Sequence, residues 1–207
     1  MGCRGYFNRG YFRLNNRYVG FVLWFDAYYF GVQRFGHKGL NVQKALAMFQ
    51  GGKVGREQRS LYLSAVRSFL FNQILGSRVA NQTWSQALMG DTYVFDGSHS
   101  SFKSDQPDAE IIRRLQAQEI HVSGALYGKG DANVSALALE LENSILNSYP
   151  DLTQGLITWG MESDRRALRV NVKDLAWQFV QENILELSFN LPAGSYATSV
   201  LREIINF

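Results

Sequence analysis

The 207-residue sequence has one cysteine, Cys3, three prolines and three histidines. A lone cysteine cannot build a disulfide scaffold or a zinc site, and it fits a reducing compartment. His37, His99 and His121 are scattered without ligand spacing, so no metal is expected. The composition excludes collagen-like, mucin-like and mini-protein chains. There is no apolar run of the roughly 20 residues that span a bilayer. Also absent are a Walker loop, a dinucleotide fingerprint and a Gly-x-Ser-x-Gly elbow. Gly51-Gly52 lacks the partners of the first two, and Gly194-Ser195 is followed by Tyr196 and Ala197. Nothing calls for a metal, a cofactor or a serine nucleophile.

What is present is a globular composition, with 46% hydrophobic and 19% charged residues. The length suits one domain or two small ones. A formal net charge of +3 hides an uneven distribution. From Met1 to Val79 there are twelve Lys and Arg against two acids, Asp26 and Glu57. From Ala80 to Asp164 there are four against twelve, and from Arg165 to Phe207 five against four. A basic block gains affinity for a polyanion by releasing condensed counterions, which makes RNA or DNA a candidate partner. The alternative is two oppositely charged faces of an ordinary domain.

At the amino terminus, Arg4, Arg9, Arg13 and Arg17 lead into the apolar run Tyr18 to Phe25. This has the outline of a signal peptide, but no small-x-small site follows and Asp26 ends the run. Met1-Gly2-Cys3 carries Tyr6 where myristoylation wants Ser or Thr. The expectation is no membrane role and a cytoplasmic protein. The near-repeat Gly5-Tyr6-Phe7 and Gly10-Tyr11-Phe12, with Arg9 and Arg13 between, suits stacking on single-stranded RNA. The preferred reading is a basic tail or an edge strand whose aromatics cover a core.

Periodicity and punctuation predict helices over Asn41 to Phe49, Gly55 to Ala80, Asp108 to Glu119, Val134 to Leu146 and Ser195 to Asn206. For the second of these, Leu61, Ala65, Val66, Phe69, Leu70, Leu75 and Val79 form one apolar face. A hairpin is expected from Thr92 to Phe95 and Ser101 to Lys103 around Asp96-Gly97. Further strands are expected over Val122 to Leu126, Arg165 to Val172 and Ile184 to Asn190. Strands and helices without a regular βαβ rhythm indicate an α+β fold.

Tyr28-Tyr29-Phe30-Gly31-Val32-Gln33-Arg34-Phe35-Gly36 combines two glycines five apart with aromatic and polar reach between them. It resembles the Asn-Tyr-Phe-Gly-x-Gln-Arg-Phe-Gly motif of the TruD family of tRNA pseudouridine synthases. Two further segments resemble the family in the same order. They are Ser64-Ala65-Val66-Arg67-Ser68-Phe69-Leu70-Phe71-Asn72 and Leu191-Pro192-Ala193-Gly194-Ser195-Tyr196-Ala197-Thr198-Ser199-Val200-Leu201-Arg202-Glu203. The resemblance implies an isomerase that converts a uridine in tRNA to pseudouridine without a cofactor. The uridine is flipped from its stack, and an aspartate assists glycosidic-bond cleavage.

It further implies part of a pseudouridine-synthase catalytic sheet, residues 28–53 and 165–207, interrupted by an inserted α+β TRUD domain over 54–164. Residues 1–27 match nothing in the family. By the same resemblance Phe30 lines the uridine pocket and Tyr196 is its aromatic wall, while Tyr28, Gln33, Arg34 and Arg202 occupy substrate or RNA-binding motif positions. Phe35, Phe69 and Phe71 read as core packing. Arg67 and Asn72 read either as helix-to-sheet hydrogen bonding or as RNA contacts.

The sequence departs from the family in two places. Tyr28 and Ala27 stand where the family has Asn and Pro, so a ring with one hydroxyl replaces an amide. The family's Gly-x-Lys-Asp-Arg/Lys motif, which carries its catalytic aspartate, does not occur. Lys173-Asp174 lacks the glycine, and Asp26 is the only acid in the first 56 residues and a weak candidate. The expectation is a shortened gene whose first 27 residues come from a new start or a shifted frame. Its product would be a family member inactive alone, with a non-catalytic tRNA-binding protein or a decayed product as alternatives.

Overall fold

The computed structural model describes residues 27–181, 184–192 and 194–204, with side chains as far as Leu201. The glycine-aromatic near-repeat, the apolar run Tyr18 to Phe25 and Asp26 lie outside the described residues. The chain divides into two compact units, Ala27–Arg169 and a second containing Val170–Phe207. The fold is α+β.

In the larger unit the elements run α1 (Val32–Phe35), a 3-10 turn (His37–Gly39), α2 (Asn41–Phe49), α3 (Arg56–Ala80), β1 (Thr92–Phe95), β2 (Ser101–Lys103), α4 (Ala109–Gln116), β3 (Ile120–Leu126), α5 (Ala136–Leu146), α6 (Pro150–Thr158) and β4 (Asp164–Ala167). The strands form an antiparallel sheet in the order β2-β1-β3-β4, with Tyr93 opposite Val122 and Gly124 opposite Arg166. β3 is central and its first six residues are buried, the polar ones among them, His121 and Ser123, being hydrogen-bonded.

α3 is the organising helix. It packs against β3, α2, α5 and α6. A helix with neighbours on several sides buries more than a stripe, and Tyr62, Leu63, Val66, Leu70, Phe71, Ile74 and Leu75 are all buried. The single apolar face expected from periodicity is corrected here. Leu61 is 58% exposed, while Tyr62, Leu63, Phe71 and Ile74 belong to the interior. Burying a leucine or isoleucine such as Leu70 or Ile74 stabilises by about 1.5–3 kcal/mol. Ala45 and Met48 of α2, Ala125 of β3, Leu146 of α5 and Leu152 and Leu156 of α6 complete this core. At Gly124, a Cβ would press into Leu168 and the Phe71 ring, so glycine permits the close approach of α3 to the sheet.

Two buried ion pairs tie the helices to the sheet. Arg78, near the end of α3, is paired with Asp91, which also accepts from Leu88 N at 2.7 Å. Arg165 of β4 makes a two-pronged pair with Glu142 of α5 at 2.7 and 3.0 Å and donates to Ser123 O at 2.9 Å. Each charge is met by another charge or a backbone group, as burial requires.

The ends of this unit meet. Ala27 and Arg169 form an antiparallel bridge, Tyr28 N donates to Leu168 O at 2.8 Å, and Leu168 N donates to Val122 O at 2.9 Å. The segment before α1 therefore lies beside the segment after β4.

In the second unit, β5 (Lys173–Gln181) and β6 (Ile184–Asn190) form an antiparallel hairpin, followed by α7 (Ala197–Ile204). Three sequence expectations need correction. The strand expected over Arg165 to Val172 ends at Ala167, and β5 follows it as a separate strand. α6 was not among the expected helices; its Pro150 suits the first turn, where a missing N–H is not needed. The final helix starts at Ala197, after the turn in which Ser195 N donates to Pro192 O at 3.1 Å.

Candidate nucleic-acid interface

The segment leading into α1 has no strand partner for Phe30, so its backbone groups must be satisfied otherwise. Asn72 of α3 does this with one amide. Phe30 N donates to Asn72 Oδ1 at 2.9 Å, and Asn72 Nδ2 donates to Phe30 O at 2.9 Å. Two turns earlier on the same helix, Ser64 Oγ accepts from Arg34 Nη1 at 2.7 Å. The first and second sequence motifs are thus bonded to each other. Gly36 turns the chain after α1 with φ of +74°, a conformation that favours glycine, and Asn41 fills the space a Cβ would need.

Around this clamp, rings and guanidiniums alternate. The Phe30 ring meets Phe71 edge-on at 5.3 Å. Arg166 of β4 lies 4.5 Å over the Phe30 ring and 5.3 Å over the Tyr28 ring, and Arg34 lies 5.2 Å over Phe30. Both rings are largely buried, each 5% exposed. Consecutive strand residues point to opposite faces, which sends Arg165 inward to Glu142 and Arg166 outward to the rings. The guanidiniums cover the ring faces and place positive charge beside them, an arrangement that can hold an anion.

Arg67, between Ser64 and Asn72, donates to Leu126 O at 2.8 Å and Glu162 O at 3.0 Å. Burial lowers its pKa, opposed by the charge of Asp164. Of the two readings of Arg67 and Asn72, both residues make hydrogen bonds within the protein: Arg67 ties α3 to the end of β3, and Asn72 ties it to Phe30. A second buried polar chain lies at the other end of β3. Arg169 Nε donates to His121 Nδ1 at 2.7 Å, and His121 Nε2 is 3.0 Å from Asp96 Oδ1. An arginine donor on Nδ1 leaves Nε2 as the protonated nitrogen facing the carboxylate. Arg169 also donates to the Leu115 and Ile120 carbonyls, and burial lowers its pKa.

Of the residues singled out from sequence, Tyr28, Phe30 and Arg34 come together in this cluster. Gln33 lies on the exposed side of α1. Tyr196 is half-buried just before α7 in the second unit. The Arg202 side chain and Asp26 lie outside what is described. Phe71 is buried, whereas Phe35 and Phe69 are half-buried, with Phe69 edge-on to Tyr149 at 5.1 Å. Arg166 is the member that sequence reasoning missed. Its only signal was the pair Arg165-Arg166 in an expected strand, which alternation splits between two faces. Among the described residues no group of His, Cys, Asp or Glu could hold a metal ion, and no helix is long and apolar enough to cross a membrane.

The family model for tRNA pseudouridine synthase D, TruD, matches residues 39–204. tRNA pseudouridine synthase D of Methylococcus capsulatus is 47% identical over 181 residues, 86% of this chain and 51% of its own. That of Hydrogenovibrio crunogenus is 42% identical over 178 residues, 85% of this chain and 51% of its own. The chain spans about half the length of the curated relatives it matches. Among solved structures, one assigned to tRNA pseudouridine synthase D from Methanosarcina mazei superposes with a TM-score of 0.60 at 18% identity. It covers 87% of this chain and 61% of that one, a likeness of fold.

Proposed function

Because the chain belongs to the TruD family of tRNA pseudouridine synthases, we propose that it serves the isomerisation of a uridine in tRNA to pseudouridine by binding the RNA. The observation that carries this reading is the Arg166 guanidinium stacked 4.5 Å over the clamped Phe30 ring. An aromatic face capped by a guanidinium supplies both partners that a flipped nucleotide needs. On binding, the base replaces the Arg166 guanidinium on the Phe30 face and the guanidinium moves to the phosphate. Asn72 and Ser64 fix the backbone and Arg34 beneath that exchange, so little ordering is left for the moment of binding. In the same reading Tyr196, Gln33 and Arg202 contact RNA.

The proposal also keeps the division into an inserted domain, 54–164, and catalytic-domain parts, 28–53 and 165–207. The bridge between Ala27 and Arg169 brings together the ends of the larger unit, which holds 28–53 as well as 54–164. The Gly-x-Lys-Asp-Arg/Lys motif is absent from the 207 residues. The chain is therefore assigned binding and positioning, not turnover by itself. Incubation with unmodified tRNA, followed by mapping of pseudouridine and measurement of affinity against salt, tests this. Salt-dependent binding without turnover is expected. Turnover by the chain alone would overturn the non-catalytic assignment, and no binding at low salt would overturn the RNA reading.

A further inference from the structure

Fifteen lysines and arginines lie between Ala27 and Arg169, and most have defined partners. Arg78, Arg165, Arg113, Arg114 and Lys103 are paired with carboxylates. Arg67 and Arg169 donate to backbone carbonyls, Arg34 to Ser64, and Arg166 covers two rings. Those without a carboxylate partner or a side-chain hydrogen bond among the described residues are Lys38, Lys44, Lys53, Arg56, Arg59 and Lys129. All but Lys129 fall between positions 38 and 59, a stretch whose one acid is Glu57.

Two of these cations rest on aromatic faces. Arg59 lies 4.9 Å over the Trp159 ring, and Lys44 lies 6.0 Å over the Tyr62 ring. Arg59 and Tyr62 are one turn apart on α3, so both stacks belong to one surface where α2, the first turns of α3 and the end of α6 meet. Arg56 occupies the first turn of α3, where the helix dipole adds positive potential. Cations grouped without carboxylates repel one another, and a polyanion relieves that repulsion.

We propose that Lys44, Arg56, Arg59 and Trp159 form a further RNA contact surface, with the cations on phosphates and the indole face under a base. Asn72, which holds Phe30, and Arg59 are thirteen residues apart on α3, about 20 Å along its axis, so this surface extends from the Phe30 ring past Arg34 at Ser64 to the start of α3. The inference rests on the tRNA reading and adds where the rest of the molecule is held.

The test uses the whole chain and unmodified tRNA, with affinity measured from 50 to 200 mM salt. The triple variant Lys44→Gln, Arg56→Gln, Arg59→Gln should bind at least tenfold more weakly. Its log–log salt slope should fall by about 2, as expected for three lost phosphate contacts. Arg113→Gln with Arg114→Gln removes two cations already paired with carboxylates and should change affinity less than twofold. Tryptophan fluorescence should be quenched by tRNA in the wild type and less so in Trp159→Phe. A triple variant within twofold of the wild type overturns this surface and leaves the tRNA reading standing. Displacement of tRNA by polyglutamate at equal charge concentration overturns the choice of RNA as the occupant. Failure of the wild type itself to bind tRNA overturns the underlying reading.

Discussion

Asn72 commits its entire amide to the backbone of one residue, Phe30, donating and accepting at 2.9 Å. Leucine at this position would fill the space but leave an N–H and a C=O without partners. Asn72→Leu should lose about 2–3 kcal/mol in urea unfolding, and a loss below about 0.5 kcal/mol would remove the clamp from the account. Asn72→Asp keeps the acceptor for Phe30 N but sets a carboxylate oxygen against Phe30 O, so it should not restore the clamp. The sequence showed that Asn72 belongs to a motif, but a lone asparagine on a helix does not announce which backbone it faces. Tyr28 illustrates the reverse. Its departure from the family's asparagine was plain, yet its backbone N–H still bonds Leu168 O, and its ring adds a second face for Arg166.

Among the elements, α2, the β1–β2 hairpin and β6 were legible to the residue, because breakers or a turn pair bound them. α3 was legible in extent but not in burial, since a helix packed on several sides does not keep a single apolar stripe. β5 carried no readable alternation. All its residues except Leu175 are exposed, including Trp177, Phe179 and Val180, so neither face imposes a polar or apolar pattern. The join from α3 to β1 depends on the Arg78–Asp91 pair, both residues being 0% exposed. Arg78→Met keeps bulk but strands a buried carboxylate, which should cost about 3–5 kcal/mol. Asp91→Leu added to it should restore part of that loss. A double variant no more stable than the single, by calorimetry, would mean that the pair does not stabilise as a unit.

At the scale of the molecule, the sequence located the basic and acidic blocks, but not which charges are neutralised. That depends on contacts between distant elements, such as Arg165 with Glu142, and linear spacing does not report them. In the larger unit, the cations with neither a carboxylate partner nor a side-chain hydrogen bond lie mostly on α2, on α3 and between them. The seam at Ala27 and Arg169 has a topological consequence. With its two ends hydrogen-bonded across one bridge, the larger unit is a ring in all but one covalent link. Where the chain begins within that ring is then immaterial to the packing. Joining 169 to 27 by a short glycine-serine linker and opening the chain between the exposed Ser98 and His99 should leave the same fold. The rearranged unit should melt cooperatively with the same helical signal in circular dichroism. A broad, non-cooperative melt would show that residues beyond the ring are needed to hold it closed.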